Sequence, residues 1–506
     1  MNNKLSIITF FFIFIAFCIS SCNDTEMNKL GIEDDELFIT SDKSFVTKEK
    51  GLEVANEFYS KLRSSSVKGY LTRSFNNPQI ETISKNGQAL MYLINYPDSG
   101  FVIVSATRDY FPVVAYSDES NIDLKQGILG LDEWIEDAKV TIEESSKKSD
   151  SVKVYMNNLW NEEVTPTNLQ RNSKTRAGSL TEADIACYMR CEELLNQYGY
   201  GGDQGWHFCP LSDAQQVFKE RGFEETYKSL CYSAEFNHSS ASNSVLGYKI
   251  CTVKKVVGPL LSTKWHQHSP FNDYCNGSPA GCAAIAVAQV MNYYKHPGPF
   301  SFNGIPFDWS TIPDEPNANS SQGLFVRMIG ALIDMHYHDD YSWATPGNVE
   351  EGMERFGYDV SVGDDDSFNV RNSIIDGKNP VIMLGNDDNW SFLPGNLKYL
   401  GDSHYWVCDG VDEMVMDVLF LFTEWQPYGK GNFVPGWNSI DQPYQFGGRG
   451  FDFFHVNWGW GGLSNGWFGD VSNSQKGEYD NKNDKNTNQG HYNNSRKNFY
   501  IRIKRK

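Results

Sequence analysis

Apolar residues along the chain recur in two rhythms, one helical and one strand-like. In "VTKEKGLEVANEFYSKL", Leu52, Ala55, Phe58, Tyr59 and Leu62 fall on one helical face and predict an amphipathic helix. "ALMYLINYPDSGFVIVSATRDYFPVVAYSDES" reads as strands, broken at Pro97-Asp98-Ser99-Gly100 and by a turn near Arg108 and Asp109. "LDEWIEDAKVTIEESSKK" returns to helical spacing and ends in charge. Together these predict a small α/β domain over 46–157, which carries neither cysteine nor histidine and so offers little for chemistry.

Polar and linker-like composition follows at 159–181. Residues 182–255 add five cysteines and one amphipathic run, "LSDAQQVFKERGFEE", with no role legible in them. From Val256 onward tryptophan and glycine motifs become dense, an Asn/Lys/Asp-rich stretch at 472–494 reads as loop, and "NFYIRIKRK" reads as a closing strand. No internal repeat is visible. The most uniform apolar run is "GSPAGCAAIAVAQVMNYYKHP", Gly277 to Pro297. Gly281 permits a sharp turn, the alanines favour helix, and His296-Pro297-Gly298 ends it. Apolar on every side, that helix is predicted at the centre of a domain.

At the N-terminal end, "MNNKLSIITFFFIFIAFCISSCNDTE" joins Lys4 to an apolar run of export-signal length, too short for a membrane span. Small residues before Cys22 resemble a bacterial lipobox, so residues 1–22 are expected to be a lipoprotein signal with Cys22 as the lipidation site. Residues 23–45, polar and acidic, are the expected tether. The implied location is the bacterial cell envelope, lipid-anchored and exported, with release after processing. The 506 residues carry a formal charge of -20, which argues against a nucleic-acid partner. Of the ten cysteines, Cys187-x-x-x-Cys191 has no convincing Cys/His partners for zinc. With Cys282 as a working thiol, the seven that remain beyond the leader are odd in number, so at least one more is free.

Cys282 opens the apolar helix, where spare N–H groups and the helix dipole stabilise a thiolate, the nucleophilic form. A small buried core cysteine fits the same stretch, and by itself the stretch leaves both open. A thiolate needs a base. In "SHYWVCDGV" His404 stands at a strand entry, a better setting than His266, His268, His336 or His338; the last two alternate around Tyr337 near Asp339 and Asp340 and read as a solvated loop. Acyl transfer also needs an oxyanion donor, and Gln267 in "TKWHQHSPFN" offers a side-chain amide beside the Cys282 backbone N–H. In "HVNWGWGG", Asn457 offers an amide to hold an imidazole and Trp458 an indole to shield it.

"WHQHSPFN", "SPAGCAAIAVAQVMNYYKHP", "SHYWVCDGV" and "FFHVNWGWGGLSNGWF" follow the order and rough spacing of the streptopain family of papain-like bacterial cysteine peptidases, and the chain resembles that family from about Leu260 to Phe468. "DSGFVIVSATRDYFPVVAYSDES" resembles its inhibitory propeptide. The resemblance implies an α+β fold: a papain-like peptidase domain at 256–506 preceded by the small α/β propeptide domain. It implies Cys282 as nucleophile, His404 as general base and then acid, Gln267 in the oxyanion hole, and Asn457 and Trp458 on the histidine's far side. No metal or organic cofactor is needed. The expected partners are peptide or protein substrates, the chain's own propeptide and, through Cys22, a membrane.

Three features depart from the family: Ser403 before the histidine where glycine is usual, a probable insertion at 413–450, and the cysteine-bearing segment at 182–255 inside a linker region of 158–255. Activation cleavage is expected between Lys148 and Lys255, near Lys174, Arg176 or Lys254-Lys255. Two other readings keep the fold: a catalytically inactive binding or inhibitor-type lipoprotein, and an acyl transferase.

Overall fold

The structure is a computed structural model that describes residues 44–65, 77–97, 100–148, 150–161, 207–220, 244–364, 366–386, 403–424, 450–471 and 497–504, with a few short stretches between them. Cys22 and the leader, the tether to residue 43, Lys174, Arg176, Cys187, Cys191, the loop 387–402 and the stretch 472–496 lie outside these residues.

The N-terminal part begins with helix α1 (Lys48–Ser65) and an antiparallel meander: β1 (Gln79–Lys85), β2 (Gln88–Asn95), β3 (Phe101–Ser105) and β4 (Val113–Ser117). Strands β3 and β4 are buried throughout, which explains why their sequences run apolar without alternation. β1 is mostly exposed and polar, so no apolar run announces it. Its signal is Asn86-Gly87, whose φ values of 52° and 79° make a hairpin turn. Helix α2 (Leu129–Ser145) buries Leu131, Trp134, Ile135, Ala138 and Ile142. Helix α3 (Asp150–Asn161) extends into what reads as linker, anchored by Trp160, whose indole N–H donates to Tyr110 O at 2.8 Å.

The remaining strands are β5 (His207–Pro210), β6 (Ser244–Val257), the small hairpins β7 (Phe300–Phe302) with β8 (Ile305–Phe307) and β9 (His336–Tyr337) with β10 (Ser342–Trp343), then β11 (Tyr358–Asp364), β12 (Val381–Asn386) and β13 (Ser403–Glu424). After these come β14 (Pro427–Tyr428), β15 (Asn432–Phe433), β16 (Tyr444–Phe446), β17 (Gly450–Asn457), β18 (Gly466–Gly469) and β19 (Lys497–Ile503). The main sheet runs β1-β2-β3-β4-β18-β17-β13-β12-β19-β11. One sheet thus passes from the N-terminal domain into the C-terminal one where β4 pairs β18, Tyr116 opposite Trp467 and Ala115 opposite Phe468.

Two departures noted in the sequence turn out to be one structure. Strand β6, from the cysteine-bearing segment, pairs without interruption along β13 from Val411↔Val257 to Glu424↔Ser244. Strand β5 adds to β6, and β16, from the probable insertion, adds to β13. Lys254 and Lys255, expected near an activation cut, lie inside this ladder opposite Met414 and Glu413.

The seam between the domains holds more than backbone pairing. Trp134 Nε1 donates to Gly469 O at 3.0 Å, Thr141 Oγ1 to Val471 O at 3.1 Å and Ser120 Oγ to Asn465 O at 2.7 Å. Tyr116 OH donates to Asp412 Oδ2 at 2.5 Å. Next to Asp412 on β13, Glu413 pairs with Arg371 and stands directly opposite Asp452 on β17. Like charges facing across a ladder repel. Burial first, then Glu413, Asp470 and Asp412, push the Asp452 carboxyl up to about 6, against the opposing pull of Arg371. Its pKa is higher folded than unfolded, so the stability tied to its proton is present in acid and lost as pH rises through about 6. The unfolding midpoint should therefore drop between about pH 4 and 6.5, and Asp452→Asn should flatten that drop and stabilise the chain at about pH 7.5 by on the order of 2 kcal/mol. Denaturant melts of both proteins across that range check this; parallel curves would refute it.

Candidate active site

The predicted central helix spans Cys282–Tyr294, with every residue from Cys282 to Asn292 buried, and ends at Lys295 in the left-handed conformation. Gly281 precedes it at φ 89°, and a β-carbon there would collide with the Met335 side chain. The backbone conformation is what requires glycine, since the Met335 terminal methyl could shift. The turn is clamped from two sides: Ala280 N donates to Gln267 O at 2.9 Å, and Ser342 Oγ donates to Pro279 O at 2.7 Å. The first intrahelical bond is Ile285 N to Gly281 O, so the N–H groups of the first turn keep their donor capacity. Burial pushes the Cys282 thiol up, while hydrogen bonds from the backbone at Tyr405, at Ala283 and at Cys282 itself oppose it.

The contact with Tyr405 brings the entry of β13 to the sulfur, and His404 is its neighbour on that strand. The imidazole is buried, and burial lowers its pKa to about 4 although the Trp458 carbonyl favours the charged ring. His404 Nε2 lies 3.0 Å from Trp458 O. A carbonyl only accepts, so Nε2 carries the proton and Nδ1 keeps the lone pair. Trp406 stacks at 6.1 Å from the ring.

Trp458 is itself fixed: its N–H donates to Asn465 Oδ1 at 3.1 Å and its indole to Ser464 O at 3.0 Å. Gly459, Gly461 and Gly462 follow at positive φ, as the tight glycines in the motif predict. The bond to the imidazole comes from this backbone carbonyl. The Asn457 amide is engaged elsewhere: Nδ2 donates to Thr263 O at 2.9 Å and to Gln289 Oε1 at 3.2 Å, and Oδ1 accepts from Gly459 N at 3.1 Å. Gln267 is half-buried and tied by its carbonyl to the turn before Cys282. His266, beside it, is held below its usual pKa by burial and by His268.

Ser342, Thr263 and Gln289 were not read from the sequence. Gln289 had a signal: it is the first polar residue after Cys282 in the apolar helix, two turns along on the same face. His336 and His338 are both exposed, as a solvated loop implies; His336 is on strand β9, stacked on Trp343 at 4.2 Å, and His338 is in the turn that follows, stacked on Tyr341 at 4.7 Å. Among the described residues no group of His, Cys, Asp or Glu is arranged to hold a metal, and no helix is long and apolar enough to cross a membrane. Cys275 is another buried thiol outside any disulfide.

A thiol at the head of a buried helix, against the strand entry that carries an imidazole bonded to a carbonyl, is an arrangement that suits a cysteine nucleophile. Residues 265–468 match the Peptidase C10 family, and residues 43–142 match the Spi protease inhibitor family. The chain carries a Peptidase C10, or streptopain-family, domain behind a Spi-type inhibitor domain of the propeptide kind. It is 24% identical over 254 residues to the thiol protease/hemagglutinin PrtT of Porphyromonas gingivalis, a match covering 42% of this chain and 24% of that protein. The chain thus spans about a quarter of that relative's length. A prointerpain A fragment from Prevotella intermedia aligns with a TM-score of 0.41 at 13% identity, over 85% of this chain and all of the fragment.

Proposed function

We propose that the chain is the zymogen of a cysteine endopeptidase, exported and anchored through lipid at Cys22. The reading rests above all on one observation: the β13 entry that carries His404 lies against the Cys282 sulfur, with His404 Nε2 committed to the Trp458 carbonyl. Nδ1 then takes the proton of Cys282, and the thiolate attacks the scissile carbonyl. Gln267 and the Cys282 N–H hold the tetrahedral oxyanion. The imidazolium protonates the leaving amine, and water deprotonated by His404 cleaves the acyl-enzyme.

The inhibitor domain supplies the latency. At Gly130 helix α2 approaches Trp458 and Trp406 so closely that a β-carbon would lie 2.5 Å from Trp458 Cζ3, and Glu133 reaches Gly385 beside Trp406. Burial meanwhile favours neutral Cys282 and neutral His404. Removing α2 exposes the histidine's wall to water and favours the thiolate–imidazolium pair. Because β6 is laddered to β13, the activating cut falls before His207 and leaves β5 and β6 with the peptidase.

Incubation of the purified chain with a reducing agent tests the reading. Peptide hydrolysis should appear with a fragment whose N-terminus precedes His207, and a thiol-directed peptidyl inhibitor should label Cys282 and stop both. A protein that neither hydrolyses peptides nor is labelled would be an inactive binding protein. Transfer of acyl groups to an added amine in preference to water would make it an acyl transferase.

A further inference from the structure

We propose that Gln289 is a positioning residue of this active site, holding its three limbs in one geometry through a single oxygen. The proposal rests on the Cys282–His404 reading and names a residue that the chemistry itself does not use. Gln289 is fully buried on the nucleophile helix, ~10 Å beyond Cys282 along the axis and on the same face. Its Oε1 accepts from Thr263 Oγ1 at 2.9 Å, from Asn457 Nδ2 at 3.2 Å and, more weakly, from Trp265 N at 3.4 Å.

The donors come from the two limbs that pack against the helix carrying the acceptor. Thr263 and Trp265 lie on the segment that leads to Gln267. Asn457 precedes Trp458, whose carbonyl fixes His404, and Asn457 Nδ2 bridges back to Thr263 O at 2.9 Å. Gly459, just after Trp458, lies against Ile285 one turn into the same helix. The nucleophile helix, the Gln267 segment and the Trp458 turn therefore meet at one carboxamide oxygen. The Gln289 Nε2 group is buried with no hydrogen-bond partner among the described residues. A side chain kept in the core at the cost of an unsatisfied donor is kept for its acceptor. That explains why a polar residue interrupts a helix that is otherwise apolar over ten residues of its length, and it gives Asn457 a task distinct from touching the imidazole.

The acceptor role separates two substitutions of similar size. Gln289→Met keeps the volume and removes the acceptor, whereas Gln289→Glu keeps an acceptor oxygen facing the same donors. In the processed peptidase Gln289→Met should lower kcat about 10²-fold with KM nearly unchanged, as misplacement of reacting groups does. It should also move the pH profile of Cys282 alkylation to higher pH, because the imidazole no longer meets the thiol correctly. Gln289→Glu should retain most of kcat and the wild-type profile. Thr263→Val, which removes one donor with little change of shape, should shift both readouts in the same direction by several-fold and serves if Gln289→Met does not fold. Wild-type kcat and profile in Gln289→Met, or equal losses in Met and Glu with unshifted profiles, would overturn the proposal while leaving the Cys282–His404 reading intact. A wild-type chain with the alkylation profile of an ordinary thiol and no hydrolysis would overturn both.

Discussion

Cys282→Ala should abolish peptide hydrolysis and self-processing, a loss of at least about 10⁴-fold, and leave the zymogen folded. The stability cost should be about 1 kcal/mol, since a single buried sulfur is removed from the core. His404→Ala should cost a comparable factor. The double variant should be no worse than either single one, because a nucleophile without its base and a base without its nucleophile are equally idle. Initial rates and processing time courses on the three variants decide the matter. Additive losses would mean that the two residues do not act as a unit, and unchanged activity in Cys282→Ala would place the nucleophile elsewhere.

The residues behind this prediction were legible because each carries a local signature. Cys282 follows a helix-breaking glycine and opens an apolar run, and the structure places it at a helix head. His404 opens a strand, as its apolar successors indicate. What was not legible depends on contacts distant in sequence. The hydrogen bond to His404 comes from a backbone carbonyl, and every residue has one, so side-chain chemistry alone pointed to the Asn457 amide. The pairing of β6 with β13 joins two segments more than a hundred residues apart, each of which looked like an isolated departure. The continuity of the sheet from β4 into β18 was equally hidden, because short strands buried on both sides carry no mark of their neighbours.

That continuity sets what holds the inhibitor domain in place, and Trp134 is its test. The β4–β18 ladder is short, Trp467↔Tyr116 and Phe468↔Ala115, and cannot carry the docking alone. Trp134 is buried with its ring 5.0 Å from Phe468 and its N–H on Gly469 O. It stands one helical turn after Gly130, the residue seated on the tryptophan that binds His404. Trp134→Ala removes a large aromatic from this seam, a change that costs about 3–5 kcal/mol where a ring is fully enclosed. Docking should weaken by at least about 10²-fold, so the lag before self-processing should collapse and hydrolysis should precede cleavage of the chain. Trp134→Phe keeps a ring and loses the hydrogen bond, about 1 kcal/mol, and should shorten the lag only several-fold. The graded order, wild type slowest and Trp134→Ala fastest, distinguishes a released inhibitor domain from a damaged peptidase, in which activity after complete processing would also fall. Identical lags in all three proteins would show that latency does not depend on this contact.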